Sequence, residues 1–536
     1  MHRDSSSLRV FVVDSALSHA RAWKTFALLT LLALAGSGSA QAQSVHQQAE
    51  SYLAAGEFDK ATRLLEESLA ASPADITAHN LLGIALTASG KLEQANAHFM
   101  KAIALDPKFY PALKNLAINE LRLNRVQDAK DHFQEALKLS PDDPLAHLSL
   151  GEIHFANRQF KAAVGHYLRS KDLLLKNPPA LLNFARSCFE SGEGARASES
   201  LEHLESTDPQ TNFEAGLMLA QLGRYEASAR QFERARKGYP DPYQAGFNLT
   251  LAHVKARHYS SAVQSAQEVI SQGYRNAELY NLLAEAYEGS GNTLEAYNAL
   301  RTAARINPAD EKNYLDLVVL SVDHKNYDLA LEIAGIGLEH VPASQRLILQ
   351  RGAVRAFKGQ YAEAVEDLQQ AIRLNPNENL PYFAMSMALM QMDQMHKAIE
   401  ILRQRVAASP DDYLILFALG EALNRAGFSP GSAEAQDAVN ALEKSVRLNP
   451  RFAGSRAALG KILFKVGDLD AAIRELDKAL ELDPSDFAPA YTLALALRRK
   501  GETARAEQLL AGYEKHKAEE RDQFRNQTLL RILRAP

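Results

Sequence analysis

Chemistry, if this chain performs any, would have to come from a few short patterns. Gly427-Phe-Ser-Pro-Gly431 has the spacing of a nucleophile elbow, in which a serine on a strained strand-to-helix turn is presented to an acyl carbon. Here it predicts a plain turn, because no strand-like run precedes it, no helix directly follows Ser429, and Pro430 forbids the elbow geometry. Gly83 to Gly90-Lys91 has the outline of a phosphate loop. Six residues rather than four separate its glycines, however, and Leu92 stands where a hydroxyl would hold magnesium. The sixteen histidines include no HExxH and no pair spaced to gather ligands on one helix face, so no metal or other cofactor is expected. The single cysteine, Cys188, lies among apolar helix residues, where a thiol fills space. Carboxylate runs such as Glu519-Glu-Arg-Asp522 belong on solvated helix faces. No catalytic residue emerges, and the expectation is that the chain is not an enzyme.

The elements around these patterns are those of a folded, soluble protein: 536 residues, 46% hydrophobic and 23% charged. Lys+Arg 60 against Asp+Glu 65 gives a formal charge of -5 with the signs mixed along the chain, so no basic stripe offers a track to nucleic acid. At the N-terminus Arg21 and Lys24 precede the apolar run Phe26–Ala35, followed by the small residues of 36–42. That order is a secretory signal over 1–42, with cleavage expected after Ala42 and a periplasmic or secreted product. The apolar run is too short to span a bilayer, which takes ~20 residues, so no transmembrane segment is expected after signal removal. The stretch before Arg21 is long and holds Asp4 and Asp14, which points to a start downstream of Met1.

Internal repetition organises the rest. Prolines that close apolar helical runs stand at Pro73, Pro107 and Pro141, and again at Pro308, Pro342, Pro376 and Pro410, each 34 residues after the last in its series; Pro450 and Pro484 resume the period after a six-residue insertion. Twelve residues before each closing proline is an alanine (Ala61, Ala95, Ala129, Ala296, Ala330, Ala364, Ala398, Ala438, Ala472). Glycines recur seventeen before it, at Gly56, Gly90, Gly291, Gly359 and Gly467, and twenty-four before it, at Gly83, Gly352 and Gly460. Glycine between two apolar runs suits the left-handed residue that ends a helix. Small residues at the other fixed positions let two helices approach closely, and the proline ends the second helix. One unit is a helical hairpin, and the stack predicts about fourteen of them. Between Pro141 and Pro308 the spacing falls three residues short of five periods, and units are expected to close at Pro178, Pro209, Pro240 and near Tyr274, with any hinge expected between about 175 and 245.

This pattern resembles the tetratricopeptide repeat over about 42–520. Gly83-Ile-Ala-Leu, Gly90-Lys-Leu-Glu-Gln-Ala95 and Phe99-Met-Lys-Ala-Ile-Ala-Leu-Asp-Pro107 carry the likeness, as do Gly359-Gln-Tyr-Ala-Glu-Ala364 and Ala371-Ile-Arg-Leu-Asn-Pro376. The resemblance implies an all-α, right-handed superhelical solenoid. It divides into a signal peptide (1–42), an N-terminal array (43–175), irregular repeats (176–276), a C-terminal array (277–520) and a capping helix (521–536). It also implies a concave groove lined by the first helix of each unit, which holds a protein or peptide.

By analogy with the family's groove positions, the lining would be Phe213, Phe247, Leu315, Leu349, Phe383 and Phe417, with Met387 among a methionine-rich set suited to an adaptable surface. Asn115, Asn183 and Asn248 stand where related asparagines hydrogen-bond an extended ligand. Displaced by one residue in helix phase, half of the apolar set would be core instead. Lys114 beside Asn115 suggests part of a carboxylate clamp, but Leu145, Leu148 and Ser149 occupy the face that would complete it, and no clamp is expected. The function implied is an interaction scaffold. A substrate-presenting arm acting in trans with a glycosyltransferase-type enzyme, and a cytoplasmic co-chaperone, are the alternatives. Oligomeric state has no signal in the sequence.

Overall fold

The computed structural model describes residues 40–170, 172–484 and 486–513; of the signal expected over 1–42 all but the last three residues, and the whole cap expected over 521–536, lie outside them. Among the described residues the chain is all-α, and within each of two units antiparallel helical hairpins stack in sequence order. It forms two compact units, divided between Tyr274 and Arg275. The first holds seven hairpins, opened by the helices that begin at Ala40, Ile76, Tyr110, Pro144, Pro178, Pro209 and Pro242. The second also holds seven, beginning at Ala277, Glu311, Gln345, Leu380, Tyr413, Ala453 and Ala488, the last completed by residues 503–513.

The helix ends follow from local chemistry. Most hairpin turns contain one residue at positive φ: Gly56, Gly90, Gly291, Gly359 and Gly467 as expected, Gly192, Gly223 and Gly501 as well, and Asn124, Arg158, Arg257, Lys325 and Asp393 where glycine is absent; the longer turn after Tyr413–Ala426 has two, Gly427 and Gly431. The residue before each closing proline is extended, as at Asp106 (φ -140°, ψ 101°) and Asn375 (φ -141°, ψ 91°), because proline excludes the helical region there. Two residues beyond several of these prolines, Asp75, Asp143, Asp310, Ser344 and Asp412 cap the next helix by accepting from backbone N–H groups, at ~1 kcal/mol each.

In several hairpins the two helices meet across glycine. A Cβ on Gly83 would lie 2.5 Å from the Phe99 ring, one on Gly420 2.4 Å from Leu442, and one on Gly460 2.5 Å from Leu476. Gly151 faces Tyr167 and Gly216 faces Phe232 in the same manner, so this close approach extends into units where the sequence pattern weakens.

The irregular stretch differs from its expected register. Pro178 and Pro209 do not close second helices; they occupy the first position of the following first helix, as does Pro242, where proline's fixed φ and missing donor cost nothing. Successive first helices begin 34 residues apart from Ile76 to Pro178, but only 31 separate Pro178 from Pro209. That hairpin has a second helix of nine residues, Gly194–Glu202, and an extra turn, Asp172–Leu175, precedes it. Gln231 compensates by donating to the Leu201 and Leu204 carbonyls that a longer helix would have used internally.

Candidate functional site

Family offsets place the binding wall on the first helices, but packing closes most of it. Phe213, Phe247, Leu315, Leu349, Phe383 and Asn248 are buried, which corrects the expectation that they line an open groove. Within each unit a first helix packs on its own second helix and on the hairpin before it in that unit, so the buried positions run around it rather than along one stripe. On Pro209–Gln221 every residue from Thr211 to Ala220 is buried. The Phe213 ring lies 4.0 Å from that of Tyr239, stacked, and 5.4 Å from that of Phe232. It is a core residue.

Four of the ten predicted positions keep partial exposure: Asn115, Asn183, Met387 and Phe417. The asparagines are engaged between hairpins. Asn115 Nδ2 donates to Asn80 Oδ1 (3.1 Å) and Asn183 Nδ2 to Glu152 Oε2 (3.0 Å), whereas the buried Asn248 donates to the Gln244 carbonyl of its own helix (2.9 Å). Lys114 pairs with Asp143 of the next hairpin (3.5 Å) and Arg186 with Glu214 (3.2 Å). In the first unit this leaves a strip of amide and charged side chains on successive first helices. In the second unit the Phe417 ring lies 6.5 Å from that of Phe383 and 5.2 Å from that of Phe452.

Burial pushes the Cys188 thiol up to about 11, leaving it protonated and inert at neutral pH. A helix, Tyr413–Ala426, precedes Ser429, so the elbow pattern is a turn. A cleft of about 590 Å³ in the first unit is lined by Arg230, Arg234 and Arg236 together with Glu226, Glu233 and Glu268, a mixture that favours neither anion nor cation. Among the described residues no group of three or more His, Cys, Asp or Glu could hold a metal, and no helix is long and apolar enough to cross a membrane.

Histidine pairing does exist, between the two helices of one hairpin rather than along one helix. His79 and His98 meet Nδ1 to Nδ1 at 3.0 Å, and His79 Nε2 donates to the Pro73 carbonyl (3.1 Å). His147 and His166 repeat this arrangement 68 residues later, at 3.0 Å, with His147 Nε2 on the Pro141 carbonyl (2.9 Å). Halfway between, at the same repeat position as His98 and His166, His132 instead binds Glu120 (2.8 Å). In the second unit Arg456 and Glu475 occupy the equivalent positions, 2.6 Å apart, and Arg456 Nε reaches the Pro450 carbonyl (3.0 Å). The 34-residue spacing of His98, His132 and His166 is the signal by which the sequence could have exposed these pairs.

Profiles described as tetratricopeptide repeat match residues 52–118, 114–174, 247–311 and 346–378, and one described as TPR repeat matches 460–501. The human protein O-mannosyl-transferase TMTC1 is 23% identical over 226 residues, 41% of this chain and 25% of its own length. Human intraflagellar transport protein 70A is 29% identical over 196 residues, 35% of this chain and 27% of its own. The chain thus spans about a quarter of each relative. Among solved structures, yeast Tom70 aligns over 89% of this chain and 99% of its own at 15% identity (TM-score 0.40). The Cut9 complex Cut9-Hcn1 aligns over 93% and 97% at 17% identity (TM-score 0.38).

Proposed function

Because the chain belongs to the tetratricopeptide-repeat proteins, we propose that it is a non-catalytic scaffold which holds protein or peptide partners on its first helices. The observation that carries this reading is the partly exposed strip: Lys114, Asn115, Asn183 and Arg186 in the first unit, Met387 and Phe417 in the second. Amides and paired charges there offer hydrogen bonds to an extended backbone. The apolar pair offers anchors worth ~1.5–3 kcal/mol each when a partner covers them. Nothing in this strip supplies a nucleophile or a general base. We further propose that the partners lie outside the cytoplasm, on the order of charges, apolar run and small residues in 1–42.

A second reading, a repeat arm that presents substrate to a separate glycosyltransferase, is favoured by the likeness to a protein named as an O-mannosyl-transferase. A photo-cross-linker at position 387, with one at the exposed Leu294 as control, separates the two. Specific, stoichiometric capture of one protein from position 387, weakened by Phe417→Ala, supports the scaffold. Capture of a glycosyltransferase supports the arm. Turnover of any substrate by the isolated chain would refute both. N-terminal sequencing of the mature protein tests export: a start at Gln43 is expected, and an intact Met1 or an internal start without processing would overturn it.

A further inference from the structure

We propose that the first unit carries two acid-sensitive latches, the His79–His98 and His147–His166 pairs, which hold the second and fourth hairpins closed only while each pair stays neutral. The geometry fixes the protons. The Pro73 and Pro141 carbonyls can only accept, so Nε2 of His79 and of His147 carries hydrogen and Nδ1 offers a lone pair. Into that lone pair the Nδ1–H of His98 or His166 donates across the hairpin. A further proton on His79 or His147 has only Nδ1 to occupy, and would set two N–H groups head to head at 3.0 Å. The alternative is to charge the partly buried outer ring.

That second route is also uphill. The charged neighbours acting on His98 are His79 and Lys101; those acting on His166 are His147 and His154 from the facing helix, Arg169 on its own helix and Lys130 from the preceding hairpin. None is a carboxylate. His154 is stacked on His166 at 5.2 Å and is itself tied to Gln159 (2.6 Å), so a third ring shares the fourth hairpin's latch. Burial first, then these neighbours, lower His98 and His166 from 6.5 to about 4. The middle histidine is a built-in control: at the same repeat position, with Leu113 where the others have His79 and His147, His132 bonds Glu120 and is shifted upward.

The direction of the effect follows from proton linkage. Where the folded form binds its proton more weakly than the unfolded form, stability is complete above about 6.5 and is lost as the pH falls toward 4. Opening one latch takes up at most one such proton, so its opening constant rises by up to about tenfold per pH unit in that window.

Hydrogen exchange of the full chain at pH 6.5 and 5.0, corrected for intrinsic exchange, tests this. The reference is the thirteenth hairpin, Ala453–Leu482, whose equivalent pair is Arg456–Glu475. Protection of Ile76–Leu105 and Pro144–Arg169 is expected to fall about tenfold relative to the reference on acidification. His147→Arg with His166→Glu, copying the thirteenth hairpin, should abolish the fall in the fourth hairpin alone. Equal loss in all hairpins, or a fourth hairpin still acid-sensitive in that double variant, would overturn the proposal. Should the double variant not fold, titration of the ring protons in the unaltered protein decides. Midpoints below 5 for His98 and His166, with His132 above 6.5, support the latches; three midpoints near 6.5 overturn them.

Discussion

Alanine at Gly83 is a test of close approach between the helices of a hairpin. In an exposed helix interior, glycine to alanine gains ~1 kcal/mol because the backbone loses less freedom on folding. At Gly83 the added Cβ meets three atoms of the Phe99 ring at 2.5, 2.7 and 2.8 Å. That ring is 1% exposed, with no room to swing aside, so the strain lies toward the upper end of the ~1–3 kcal/mol typical of overpacking. The net expectation is a loss of ~2 kcal/mol, about thirtyfold in local opening. Gly165, also within a helix, has nothing within 4 Å of the corresponding position, and Gly165→Ala should gain ~1 kcal/mol. Global melting averages over a repeat array, so hydrogen exchange resolved to Ile76–Leu105 and to Phe160–Arg169 is the suitable assay. Opposite signs are expected. If Gly83→Ala proved as protective as Gly165→Ala, the two helices would not be in the contact on which the whole stack depends.

Other substitutions probe separate features. Arg158→Gly and Lys325→Gly should each stabilise by ~1 kcal/mol, since both residues sit at positive φ, whereas Gly90→Ala should lose a similar amount; thermal melts of the variants decide. Phe213→Ala should cost ~3–5 kcal/mol of stability, as a buried aromatic does, while Phe417→Ala should cost much less and act chiefly on partner binding. A Phe213→Ala variant that stays fully stable but fails to bind would place Phe213 back in the groove. Asp367→Asn should destabilise by ~3 kcal/mol, because Asp367 is buried between Arg351 (2.6 Å) and Arg355 (2.8 Å) and its loss leaves two guanidinium groups facing each other; added salt should recover part of this in urea titrations.

What the sequence made legible is what recurs for a backbone reason. Gly56, Gly90 and Gly359 could be assigned to left-handed turns because few other residues take that conformation without strain, and Gly83 and Gly460 to close packing because a Cβ has no space. Pro178 and Pro209 misled because proline is equally at home after one helix and at the first position of the next; only the length of Gly194–Glu202 tells which. Phe213 and Phe247 could not be separated from Met387 and Phe417 by spacing, since exposure depends on how tightly neighbouring hairpins close on a helix, and that is set by residues of other repeats.

The histidines carry the point further. The partners stand nineteen residues apart, one on each arm of a hairpin, which is not the spacing of one helix face. Their common frame is the residue six beyond the closing position, which satisfies a carbonyl left at the end of the previous hairpin: His79 and His147 do so, and Tyr382 and Arg456 do the same at Pro376 and Pro450. The fold accepts histidine, tyrosine or arginine there as the donor, and in the third hairpin it accepts Leu113, which has none. Because the fold is indifferent, the choice is free to set something else, and with it the facing residue changes from His98 and His166 to Glu475. Conserved geometry with variable charge is how a repeat array can give one hairpin a response to acid that its neighbour lacks, without altering the stack that carries both.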